Sequence, residues 1–204
     1  MNSNFRLVIY SGAGYSFEEY TKPIIEDLLY KNNYISVGKT KLKNLNKHSK
    51  INSNYNLKQK SVIITGASKG LGFEIAKKFV KSGANVMICS RNLNEIKKSY
   101  NKLNLIKKNN QKIIYSTTDI SSYHQVKILV RKTLNKFKKI DILVNNAGTR
   151  MDGIALRMNE AWDDVLDLDL TAPFRLSQLV LRSMSRRSWG RIINIGSIAS
   201  RIGL

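Results

Sequence analysis

A single cysteine, Cys89, occurs in the sequence, so no intramolecular disulfide can form and a cysteine-based zinc site is not expected. A reducing compartment is the simpler setting. Acidic residues are scarce: 14 Asp plus Glu stand against 35 Lys plus Arg, for a net charge of +21. Such an excess invites a nucleic-acid reading. No aromatic-interleaved basic stripe and no DNA-reading motif accompanies it, so no nucleic-acid partner is expected. The charge reads as background composition on solvated faces, and a basic surface also suits an acidic protein partner. No apolar run approaches the roughly 18 residues of a membrane-spanning helix, and no membrane partner is expected. What is present is enough apolar material for a core. Hydrophobic residues make up 42% of 204, which fits one domain, or a smaller domain plus an extension.

Composition changes near residue 60. From Leu28 to Lys60 there is no acidic residue, while Lys and Asn recur. That stretch has too little apolar surface to order itself and is expected to be a disordered linker. Before it, Phe5, Leu7, Val8, Ile9 and Tyr10 form a short apolar run that Ser11-Gly12-Ala13-Gly14 interrupts. Ile24, Ile25, Leu28 and Leu29 could line a short helix. Residues 1–60 therefore read as a basic, largely disordered extension. A basic leader can address a protein to a plastid-like organelle or a mitochondrion, although Glu18, Glu19, Glu26 and Asp27 fit that poorly. Without such an address the location is cytoplasmic.

From Ser61 the pattern becomes regular. Ser61–Thr65 reads as a buried strand. Leu71, Ile75, Ala76, Phe79 and Val80 recur at helical spacing, with Gly83 as the stop. Strands are expected at Asn85–Ser90, Lys112–Thr117, Asp141–Asn145 and Arg191–Gly196. Helices are expected over about Leu93–Lys107, around Val126–Phe137, and as one long element over about Trp162–Met184. Strands alternating with helices predict a doubly wound parallel α/β sheet of about five strands.

Thr65-Gly66-Ala67-Ser68-Lys69-Gly70-Leu71-Gly72 lies between the first of these strands and its helix. Glycines let the chain turn tightly and let a pyrophosphate approach the backbone, and the helix N-terminus offers free N–H groups. The strand–turn–helix context makes this a dinucleotide site rather than a mere tight turn. The next strand ends Cys89-Ser90-Arg91-Asn92, without the acid that takes the ribose hydroxyls of NAD. Arg91, Ser90 and Lys69 instead suit the extra phosphate of NADP.

Together with Asn145-Asn146-Ala147-Gly148, Thr65–Gly72 resembles the short-chain dehydrogenase/reductase family, whose signatures are TGxxxGxG and NNAG. The resemblance covers residues 61–204 and implies a Rossmann-type NADP-binding domain. It implies that Asp119-Ile120, after the third strand, contacts the adenine. Arg150–Gly153, Leu156–Met158, Trp162–Val165 and Gly190–Ser197 look most like 3-oxoacyl-[acyl-carrier-protein] reductases. That implies fatty acid biosynthesis, an acyl carrier protein thioester as substrate, and a homo-oligomer. In the family a tyrosine supplies a proton, a lysine lowers its pKa, a serine steadies the alkoxide and an asparagine completes a relay.

Ser197 matches the serine. The asparagine position falls in Asp167-Leu168-Asp169-Leu170-Thr171, where this chain has Asp169. An ionised carboxylate does not donate as an amide does. The family's Tyr-x-x-x-Lys comes after the serine, and this sequence ends at Leu204, so a C-terminally truncated sheet is expected. Tyr123-His124-Gln125-Val126-Lys127 has the spacing but lies before the fourth strand, on the adenine side, and is rejected as the catalytic pair. In the usual 3-2-1-4-5-6 order, the strand Arg191–Gly196 is then left as an open apolar edge. Arg182, Arg186, Arg187 and Arg191 are candidates to face an acidic carrier protein. A catalytically incomplete dinucleotide-binding or interaction module is the alternative reading. The linker reading has a direct check: limited proteolysis should clip between about residues 31 and 60 and leave a stable C-terminal fragment. Protection throughout that stretch would show that it packs.

Overall fold

The computed structural model describes residues 4–12, 57–149 and 160–197. Most of the linker call, residues 28–56, lies outside them, as do residues 13–27. Six strands form one parallel sheet: β1 (Asn4–Gly12), β2 (Ser61–Thr65), β3 (Asn85–Ser90), β4 (Ile113–Thr117), β5 (Ile142–Asn145) and β6 (Trp189–Ser197). Their order is β1-β6-β5-β2-β3-β4. From Ser61 onward this is the Rossmann-type order expected from the sequence. Among the described residues five helices follow β2: α1 (Gly70–Lys81), α2 (Leu93–Ile106), α3 (Tyr123–Phe137), α4 (Glu160–Leu166) and α5 (Ala172–Ser185). Among the described residues no helix is long and apolar enough to cross a membrane.

The central strand β2 is buried at all five positions. Its Val and Ile side chains suit a strand packed on both faces. On one face Ile75, Ala76, Phe79 and Val80 of α1 and Ile96 and Leu103 of α2 cover Val62, Ile64, Val86 and Ile88. On the other, Val126, Leu129 and Val130 of α3 and Leu176, Val180 and Met184 of α5 cover Ile63, Met87 and Leu143. Gly83 ends the α1 connection with φ +94°, a left-handed conformation that a side chain disfavours. Asn92 caps α2 by accepting the Glu95 N–H at 3.0 Å.

Two expectations need correction. The long helix is not continuous: a π turn, Asp167–Thr171, separates α4 from α5. A π turn adds one residue to the helix, and Leu166, Leu168 and Leu170 run through it without a Pro or Gly to mark the break. Strand β6 is also not an open edge. Asn4–Gly12, from the N-terminal extension, pairs with it in parallel from Asn4↔Trp189 to Gly12↔Ser197. An unpaired row of backbone groups is a template for another strand. The short apolar run of the extension supplies it.

At the amino ends of the strands, Asp141 holds β2, β5 and β6 together. Its carboxylate accepts the Ser61 N–H at 2.8 Å and lies 3.4 Å from the Lys139 ammonium and 3.6 Å from the Arg187 guanidinium. Its own N–H donates to Ser61 O, and its carbonyl accepts from Arg191 N–H. Arg187 also donates to Ile140 O at 2.8 Å. Arg191 donates to Gly190 O and lies over the Trp189 ring. These two arginines are therefore used within the fold, at the end of the sheet opposite the carboxyl ends of the strands. Asp141→Ala leaves the buried Ser61 N–H without its partner, which should cost about 1–3 kcal/mol. Urea unfolding with an unchanged slope checks this. Asp141→Asn, which keeps an acceptor oxygen, should lose less.

Candidate dinucleotide site

The carboxyl ends of β2, β3, β4 and β5 converge on a cleft of about 300 Å³. Gly66, Ser68, Lys69, Ser90, Arg91, Ile120, Ala147 and Gly148, all candidates from the sequence, line it. Asn92, Asn146 and Leu168, quoted within motifs but given no role, line it too, as do Glu95 and Thr118, which the sequence did not single out.

Its floor is set by the buried Thr65. The Thr65 hydroxyl accepts the N–H groups of Asn146 and Ala147, each at 3.0 Å, and donates to Val144 O at 3.4 Å. One donor and two acceptor sites are the whole capacity of a hydroxyl. The Asn146 amide then donates to Thr65 O at 3.0 Å and Gly66 O at 3.2 Å. The glycine turn and the Asn145–Gly148 loop are thereby fastened together. They lie so close that a Cβ on Gly66 would come 2.8 Å from the Ala147 Cα, and one on Gly72 would overlap Gly66 O and the Asn146 amide.

Gly70 differs. Its φ of +59° favours glycine, yet a Cβ there would meet nothing within 4 Å. Beside it, α1 begins without a side-chain cap and without an acid in its first turn. Its first N–H groups, with the positive end of the helix dipole, therefore face an approachable opening. That arrangement fits the pyrophosphate of a dinucleotide. Leu71 contributes backbone here, because its side chain packs on the α1-side core.

Two residues sit where their assigned roles are not obvious. Asn145 is 4% exposed, and its amide donates to Asn194 Oδ1 at 2.7 Å, within the sheet. The neighbouring Asn146 is the one that lines the cleft. Asp119 does not line it either: its Oδ1 accepts the Ser121 N–H at 3.0 Å and the Ser121 hydroxyl at 2.8 Å, which closes the turn after β4. Thr118 and Ile120 on either side of it reach the cleft.

At the end of β3, Arg91 is exposed. Lys69 is engaged: its ammonium lies 3.3 Å from Glu95 Oε1, and the Ser68 hydroxyl donates to Glu95 Oε2 at 3.1 Å. The Lys69 hydrogen bond, then that of Ser68, holds the Glu95 carboxyl below the ordinary range for glutamate. Strand β3 ends without an acid, as the sequence indicates, but an acid reaches the same place from α2. The signal was Asn92-x-x-Glu95, the N-cap and N3 spacing of a helix start that puts residue 95 against the preceding turn. Cys89 also borders the cleft, but its thiol is pushed up to about 12 by burial, which outweighs a Gly66 backbone hydrogen bond. It is not a nucleophile here.

On the far side, the π turn carries Asp169, whose Oδ1 accepts the Thr149 N–H at 3.1 Å. Single π turns inside helices often mark functional sites. Ser197 closes β6, and only its backbone register is described. Lys127 lies over the Tyr123 ring, 4.8 Å from its centroid, and Arg175 approaches the same ring at 5.6 Å. Tyr123 therefore serves a surface cation–π cluster on α3. Among the described residues no three His, Cys, Asp or Glu side chains gather to hold a metal.

Comparison with known proteins agrees with this geometry. The family described as short chain dehydrogenase matches residues 60–204. The 3-oxoacyl-[acyl-carrier-protein] reductase FabG of Chlamydia muridarum is 36% identical over 148 residues, 72% of this chain and 59% of its own length. FabG of Escherichia coli K12 is 35% identical over 149 residues, with the same coverage. The chain thus spans about three fifths of the length of these curated relatives. Among solved structures, a 7α-hydroxysteroid dehydrogenase complexed with NADH and 7-oxo glycochenodeoxycholic acid superposes with a TM-score of 0.69 at 31% identity, covering 74% of this chain and 58% of that one. The chain belongs to the short-chain dehydrogenase family.

Proposed function

We propose that the chain carries the cofactor half of an NADP(H)-dependent reductase that converts a 3-oxoacyl thioester on acyl carrier protein to its 3-hydroxyacyl form. The observation that carries this reading is the likeness to 3-oxoacyl-[acyl-carrier-protein] reductases, at 36% identity over 148 residues. A bound nicotinamide would supply the hydride. Gly66, Gly70 and the start of α1 would hold the pyrophosphate, Ile120 and Thr118 would wall the adenine, and Arg91 would meet the 2′-phosphate. The hydroxyl of Ser197, by the family's pattern, hydrogen-bonds the carbonyl oxygen as negative charge develops on it.

Asp169 favours a second reading, a dinucleotide-binding module without turnover. Its Oδ1 accepts the Thr149 N–H, and a carboxylate does not donate as the amide of an asparagine does. Arg187 and Arg191 are used at the end of the sheet opposite the cofactor cleft, away from the side where a carrier-bound thioester would meet the nicotinamide.

Calorimetric titration should show tighter binding of NADPH than of NADH, and Arg91→Asp should remove about 1.5–3 kcal/mol of that binding. Equal affinities, or a preference unchanged by the substitution, would sink the NADP reading. In a form extended through the family's Tyr-x-x-x-Lys segment, acetoacetyl-thioester reduction is expected. Ser197→Ala should then lower kcat on the order of 100-fold or more and leave cofactor affinity nearly unchanged. Asp169→Asn should preserve or raise turnover; a large loss would give the aspartate a role of its own. Cofactor binding without turnover in the extended form would select the module reading.

A further inference from the structure

We propose that Glu95 determines cofactor specificity: its carboxylate occupies the cation that a 2′-phosphate would otherwise meet, and so sets how strongly the protein prefers NADP(H) over NAD(H). This rests on the dinucleotide reading above.

Three observations place Glu95 in that role. First, it is fixed in position. It sits in the first turn of α2 with its N–H held by the Asn92 side chain at 3.0 Å. Second, it reaches back across the cleft to the glycine turn, accepting from Ser68 at 3.1 Å and from Lys69 at 3.3 Å. The Ser68 carbonyl in turn accepts the Ser99 hydroxyl of the same helix at 2.5 Å, so turn and helix are joined at two points. Third, Ser68, Lys69, Ser90, Arg91 and Glu95 line one end of one cleft, at the end of the second strand of the cofactor domain, where this fold places the adenosine ribose.

The consequences for the two cofactors differ in sign. A ribose 2′-hydroxyl is a donor, and a carboxylate beside it is an acceptor. A 2′-phosphate carries roughly −1.5 to −2 charges and is repelled by the same carboxylate. To engage Lys69 it must first displace Glu95. The Lys69 side chain is 79% exposed and that of Glu95 40%, so the pair is weak and displaceable. Arg91 attracts the phosphate while Glu95 opposes it, and the balance between them sets the preference.

The test titrates the full chain with adenosine 2′,5′-bisphosphate and with ADP. Glu95→Gln keeps the length, the N–H and an acceptor oxygen for Ser68 while removing the charge. It should tighten the 2′,5′-bisphosphate by roughly three- to tenfold and leave ADP unchanged or weaker. The gain should shrink at 0.5 M salt, since it is a screened surface effect, and should be smaller when the same substitution is made in a Lys69→Ala background, where only the direct repulsion is relieved. Equal shifts for both ligands, or an unmoved ratio, would overturn the proposal and leave Glu95 as a tie between turn and helix. If wild type binds both ligands but Arg91→Asp does not alter their ratio, the NADP reading fails on its own. If wild type binds neither, both fail.

Discussion

Everything about the cleft depends on one buried hydroxyl. Thr65 ends the central strand, and its oxygen takes two consecutive backbone N–H groups from the loop after β5 while donating to a carbonyl of β5 itself. A buried polar group is stabilising only when its partners are complete, and here they are. The bond network brings the glycine turn and the Asn145–Gly148 loop within backbone distance. Glycine at 66 and at 72 is then a steric necessity rather than a preference. The opening above Gly70 exists because the turn beneath it is held down at this point.

Scarcity of acid shapes the rest. In a chain with 35 basic and 14 acidic residues, self-repulsion opposes compactness, and each carboxylate is worth most where it meets cations. Asp141 meets Lys139 and Arg187 at the amino ends of the strands. Burial lowers the pKa of the nearby Lys60, and Asp141 opposes that shift. Glu95 meets Lys69 at the carboxyl ends. One acid closes the structural end of the sheet and the other lies in the ligand end. The first is buried and the second half-exposed, which is why one is a tie and the other is displaceable.

Reading along the chain succeeded where a single element carried the information. The Ile, Val and Phe spacing of β2 and α1 reports burial directly, because side-chain direction repeats every 2 or 3.6 residues. It missed Glu95, because the relevant partners, Ser68 and Lys69, are more than 20 positions away and meet it only when α2 packs beside α1. The motif names Asn145 beside the cofactor, and the structure turns its amide to Asn194 within the sheet. Two adjacent asparagines on a strand end face opposite ways, and the motif does not say which faces the ligand.

The sequence by itself determined the strand and helix order from Ser61, the glycine turn at the head of α1 and the family to which these belong, since those are local patterns of periodicity and turn chemistry. Only the tertiary structure decided that Asn4–Gly12 pairs with β6, that Arg187 and Arg191 face inward on Asp141 and Trp189, and that an acid shares the cleft with Arg91. Strand partners, ion pairs and cleft walls are relations between segments distant in sequence, and their energies arise only once the sheet has closed around its core.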